Sequence, residues 1–194
     1  MPRLIRLLTL STLLILTSCV SRDVITLKKL PLPASTQAIC CWQALQQLEI
    51  SYKEEKHTLL VAAATQSEKL SLVAMGPLGR KLLSIEKNGS DIVTHRAPEI
   101  PKEINSHFLL SIFYLSWWPN EQWKLPPEWK LILDKNIKTL QYKNHSLLEI
   151  QYTQPDITAS SSKRRTPRTG EKLTITHLKQ PLVISVITKQ FEKL

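Results

Sequence analysis

Five histidines, three cysteines and sixteen acidic residues are the groups in this 194-residue sequence suited to catalysis or metal binding. Their spacing matches none of the arrangements such chemistry needs. There is no Gly-x-Ser-x-Gly elbow to expose a nucleophile, no His-Glu-x-x-His or Cys-x-x-Cys to hold a metal, and no glycine-rich loop to cradle a phosphate. His57, His95, His107, His145 and His177 fall on five different segments with no ligand spacing among them. Glu54 and Glu55 sit between Lys53 and Lys56, a solvated turn rather than an acid–base pair. The expectation is a protein that is not an enzyme and uses neither cofactor nor metal. An esterase assembled from distant residues is the alternative from that class.

The cysteines divide into two kinds. Cys19 closes the run Leu16-Thr17-Ser18-Cys19, which follows Arg3, Arg6 and an apolar stretch over residues 7–16. That stretch is too short for the roughly 20 residues of a spanning helix, and the whole reads as a secretory signal. Its small residues before a cysteine resemble the bacterial lipobox, whose cysteine is acylated and becomes the mature N-terminus. Residues 1–18 then form a lipoprotein signal peptide. Residues 19–36 form the acylated N-terminus and an extended tether rich in proline, and residues 37–194 the folded domain. Acyl chains bury methylenes at about 0.8 kcal/mol each, so the protein sits on a membrane without crossing it. Val20, not Asp, follows the cysteine, which by the sorting pattern of such lipoproteins favours the outer membrane, facing the periplasm of a Gram-negative cell. Cys40 and Cys41 are adjacent. Neighbouring residues point to opposite faces of a strand, so two buried or half-buried thiols are expected, with a vicinal disulfide or a redox or metal role as alternatives.

The formal net charge of +10 falls to +8 once Arg3 and Arg6 are cleaved away. A basic surface of this kind seeks an anionic neighbour. Membrane anchoring removes nucleic acid from the candidates and leaves acidic lipid headgroups or an acidic partner.

The elements that would position these residues follow from period and punctuation. Leu48, Ile50 and Tyr52 alternate with polar residues, a half-buried strand. Residues 58–65 (TLLVAAAT) are apolar at every position but the ends and read as a strand covered on both faces. Strands over 69–75, 80–87 and 91–96 are separated by Gly76-Pro77-Leu78-Gly79 and Asn88-Gly89, the latter the strongest short hairpin signal. Residues 104–118 switch to helical spacing, with Ile104, Phe108, Ile112 and Leu115 on one face, Leu109 and Phe113 flanking it, and Pro119 as the stop. Strands over 129–133, 138–142, 146–152, 173–178 and 182–189 complete eight to ten antiparallel strands and one helix.

Two clusters remain. Trp117, Trp118, Trp123 and Trp129 lie around the helix end and read either as a core plug or as the rim of an apolar cavity. Residues 158–170 are a mobile loop carrying Lys163, Arg164, Arg165 and Arg168, either simply solvated or in contact with anionic lipid phosphates.

A lipobox, a meander with a Gly-Pro-Leu-Gly hairpin, one apolar helix and a closing set of strands together resemble the LolB outer-membrane lipoprotein receptor and its soluble relative, the carrier LolA. The Trp118-Pro119 pair, the segment from Leu125 to Trp129 and the strand near Tyr142 resemble more closely a family of small LolB-like lipoproteins associated with aryl polyene gene clusters. The resemblance covers about residues 37–190. It implies an α+β fold, mainly β: a curved antiparallel half-barrel closed by a helical lid over a lipid cavity. It also implies an acylated or polyene lipid as cargo, or a lipoprotein, handed on by a LolA-like carrier. Phe108, Ile112, Leu115, Trp118 and Trp129 would line lid and cavity. Leu78 matches the exposed leucine with which LolB-type proteins enter the membrane. A structural adaptor in an envelope assembly machine is the reading from another class.

Overall fold

The computed structural model of the chain describes residues 27–34, 39–100, 105–153 and 166–194. The signal segment, Cys19, Lys163, Arg164 and Arg165 lie outside them. Among these described residues, ten strands form one sheet. The first five are β1 (Trp42–Tyr52), β2 (Glu55–Gln66), β3 (Lys69–Met75), β4 (Lys81–Asn88) and β5 (Asp91–Arg96). The second five are β6 (Trp129–Asp134), β7 (Ile137–Tyr142), β8 (His145–Tyr152), β9 (Lys172–His177) and β10 (Leu182–Lys193). Between the two sets lies, among the described residues, one α-helix, α1 (Ser106–Trp117).

The sheet order is β5-β4-β3-β2-β1-β10-β9-β8-β7-β6, every pair antiparallel. Two five-stranded meanders are thus joined at the centre by β1 and β10, paired from Trp42↔Lys193 to Tyr52↔Leu182 with one bulge between Leu45 and Gln46. The outer strands β5 and β6 do not pair, so the sheet is open. That order dictates where the helix goes. The chain must cross from one edge of the sheet to the other between β5 and β6, and α1 lies in this crossing, on the inner face.

Alternation selects that face. Leu70, Leu72 and Ala74 of β3, Leu83 and Ile85 of β4, Ile175 of β9 and Ile184 and Val186 of β10 are buried at every second position. The double-sided burial expected for residues 58–65 is corrected. Ala63 and Thr65 are buried, but Leu60 is 39% exposed, and Ala62 and Ala64 are half-buried. Two alanines on the outer face expose little apolar surface, so an apolar run on both sides needs no second layer.

α1 starts at Asn105, whose side chain accepts a hydrogen bond from Phe108 N at 2.9 Å, and ends before Pro119. Leu110 to Trp117 are all buried, because the helix is covered on two sides. The sheet covers one. A short 3-10 turn, Leu27–Lys29, packs against the other, with Leu27 and Leu30 buried. Residues 27–34 are therefore part of the folded unit, where the sequence reading has a tether: Trp123 Nε1 donates to Pro31 O at 2.9 Å and Lys87 Nζ to Ala34 O at 2.8 Å. Cys40 and Cys41 are joined as a vicinal disulfide, the alternative to the two thiols expected.

Candidate functional site

Between α1 and the inner face of β1 to β4 lies a cavity of about 90 Å³. Leu48, Leu59, Leu72 and Leu83 rise from the strands, and Ile112, Phe113 and Trp117 close it from the helix. Its two polar neighbours turn their hydrogen bonds elsewhere: Gln46 Nε2 donates to Thr188 Oγ1 at 3.3 Å and Ser116 Oγ to Ile112 O at 2.8 Å. The wall presented to the cavity is aliphatic and aromatic, the surface that takes an apolar chain by dispersion and water release. The volume is well below the 300–1,000 Å³ of ordinary ligand pockets, so a long chain enters only if α1 moves outward.

The two ends of the helix are held differently. At its C-terminus, buried Lys138 donates to Leu115 O at 2.8 Å and to Trp118 O at 3.3 Å, while Tyr152 Oη donates to Ser116 O at 3.1 Å. A cation among the last carbonyls of a helix is favoured by the helix dipole as well as by the hydrogen bonds. The N-terminal residues His107, Phe108 and Leu109 are only half-buried. The helix is fixed at one end and more lightly held at the other.

On its far side α1 carries an aromatic wedge. The Tyr114 ring meets Phe113, Trp118 and Trp123 edge-on at 5.5–6.4 Å, and Lys87 Nζ lies 5.9 Å from its centroid. Burial pushes the Tyr114 hydroxyl well above the usual phenol range. It lowers the Lys87 ammonium against the attraction of Glu68, and it lowers His107 and His177 below the ordinary imidazole value. The nearby backbone of Leu27 and Leu30 opposes that lowering at His107, where the N-terminal segment meets the helix.

Of the expected lid residues, Ile112 lines the cavity. Phe108 is half-buried against the core, and Leu115 is fully buried but faces away from the cavity. Trp118 packs on Tyr114, and Trp129 packs on Tyr142 in a tilted pair at 4.6 Å; neither lines the cavity. The lining face runs instead through Leu109, Ile112, Phe113, Ser116 and Trp117, about one residue further round the helix. Lys87 and Lys138 were missed, although each is a lone lysine in inward register with leucines or isoleucines two residues away.

Leu78 caps the β3–β4 hairpin, fully exposed at 105%, with φ 62° and ψ 20°. Gly76 N donates to Arg80 O and Gly79, at φ 71°, donates to Gly76 O, which closes the turn. Arg168 is exposed, its backbone N–H donating to Glu171 Oε2 at 3.1 Å. It lies between β8 and β9, at the end of the sheet opposite Leu78.

A profile of a family described as a protein of unknown function, DUF3261, matches residues 43–180, from β1 to the turn before β10. The chain belongs to the DUF3261 family. A comparison with curated proteins finds no match.

Proposed function

We propose that the protein is a lipoprotein anchored in the outer membrane through Cys19, facing the periplasm, that binds an acylated or polyene lipid and passes it to the outer membrane without covalent chemistry. The observation that carries this reading is the cavity under α1, whose wall offers a cargo almost nothing but hydrocarbon. An open antiparallel sheet with one helix over its inner face also accords with the LolA/LolB-like half-barrel that the sequence resembles. In this reading α1 swings on its pinned C-terminal end to admit the chain, and a LolA-like carrier supplies it. Leu78 then enters the bilayer during delivery.

A structural adaptor is the second reading, and the small volume of the cavity favours it. Transfer between vesicles separates the two. Donor vesicles holding a fluorescent acyl lipid with a quencher, mixed with acceptor vesicles, should brighten faster when the protein is added. An adaptor leaves the spontaneous rate unchanged.

A further inference from the structure

In an antiparallel meander the turns alternate between the two ends of the sheet, and here the two ends differ in kind. The end with Leu78 also carries the β1–β2, β7–β8 and β9–β10 turns; the registers Tyr52↔Leu182, Tyr142↔His145 and Leu148↔His177 put all of them there. Lys53 N donates to Pro181 O at 3.0 Å, joining two of these turns directly. Each turn pairs a large apolar or aromatic residue with a basic one that follows: Tyr52-Lys53, Leu78-Gly79-Arg80, Tyr142-Lys143 and Leu178-Lys179. Tyr52 and Leu178 are 40% and 39% exposed, and Lys53 and Lys143 each lie 5.4 Å from the centre of the preceding tyrosine ring. At the other end, the short turns Gln66-Ser67-Glu68, Asn88-Gly89-Ser90-Asp91 and Asp134-Lys135-Asn136 have no large apolar residue and three acidic ones, and the long β8–β9 connection, with the exposed Arg168, brings positive charge there without an apolar tip among its described residues. The exposed Ile92 and Val93 belong to the edge strand β5, not to a turn.

We propose that the four turns on the Leu78 side form one membrane-docking edge that fits an anionic bilayer. The proposal deepens the reading of Leu78 as a bilayer-entering tip and rests on it. The turns recur every second strand, so the tips stand roughly 10 Å apart in a row. Tyrosine and leucine at the level of the headgroups, with lysines reaching the phosphates beside them, is the composition of a membrane interface. Arg80 is paired with Glu99, and Glu54 and Glu55 offset Lys53 and Lys56, so Lys81, Lys143 and Lys179 supply the surplus positive charge. Each basic residue near an anionic surface shifts partition by about fivefold. The cavity lining reaches Ile50, Ala74 and Leu83, within two residues of the strand ends on this side, so docking brings the cavity close to the lipid.

The test places one environment-sensitive dye at a time on the full-length protein bound to vesicles of phosphatidylethanolamine and phosphatidylglycerol with a spin-labelled lipid quencher. Lys53→Cys, Leu78→Cys, Lys143→Cys and Lys179→Cys report one end; Ser67→Cys, Ser90→Cys and Lys135→Cys report the other, and the unsubstituted protein sets the background. Quenching several-fold stronger at all four of the first set, and weaker when phosphatidylcholine replaces phosphatidylglycerol, is expected. Quenching confined to position 78, or equal at both ends, overturns the docking edge. Quenching at position 78 alone leaves the tip reading intact. Quenching at all four without lipid transfer leaves the docking edge and removes the transfer function.

Discussion

Leu78 allows folding and function to be separated with a single substitution. Its side chain is fully exposed, so replacing it removes no buried surface. Its backbone, at φ 62° and ψ 20°, lies in the left-handed region, which disfavours a leucine by about 1–2 kcal/mol and which asparagine enters more readily. Leu78→Asn should therefore leave stability to urea unchanged or raise it by up to about 1 kcal/mol. At a membrane the balance reverses. Full burial of a leucine gains roughly 1.5–3 kcal/mol, so losing it lowers the inserted population by about tenfold to a hundredfold. Circular dichroism during urea unfolding and the vesicle transfer rate, measured on the same preparation, read the two effects. Leu78→Phe, which keeps the apolar tip, should retain transfer. A stability loss above about 1 kcal/mol, or normal transfer by Leu78→Asn, would show that the leucine is packing and refute the reasoning.

Filling the cavity should abolish binding and spare the fold. Ala74 lines it and is buried, so Ala74→Leu should change stability by less than about 1 kcal/mol while uptake of a fluorescent fatty acid drops at least about tenfold; unchanged uptake would place the lipid elsewhere. Acidification should weaken the fold through His107 and His177. Burial holds both below the ordinary imidazole value, so the unfolded chain takes up protons first. Stability should be full above about pH 7.5 and fall as pH drops through about 6.5 toward the folded-state values, with His177→Gln flattening part of that fall. Urea midpoints that rise on acidification would contradict it.

Strands and turns were legible in the sequence because their signals are local. Asn88-Gly89, Gly76-Pro77 and the alternation of β1, β8 and β9 are each complete within a few residues. The pairing of β1 with β10 joins segments about 140 residues apart, and no local pattern announces it. The phase of α1 was legible only in part, with Ile112 and the flanking Leu109 and Phe113 on the cavity side but Phe108 and Leu115 off it, for a related reason. From Leu110 to Trp117 the helix has no polar face, since sheet and N-terminal segment cover both sides, so periodicity alone could not say which side meets the cavity. The same second covering layer explains residues 27–34. Their prolines read as extended chain, yet Leu27 and Leu30, three apart, are what α1 needs on its outer side. Lys87 and Lys138 were visible as cations in inward register, a pattern that signals a buried partner.

The central claim, that the space under α1 holds a lipid chain, is tested most directly by mass spectrometry of the protein purified under native conditions from its own membranes. The account predicts one non-covalent acyl or polyene lipid per protein, released on denaturation and absent from Ala74→Leu. A protein carrying only the mass of its own chain and anchor, with Ala74→Leu indistinguishable from it, would contradict that claim and leave the adaptor.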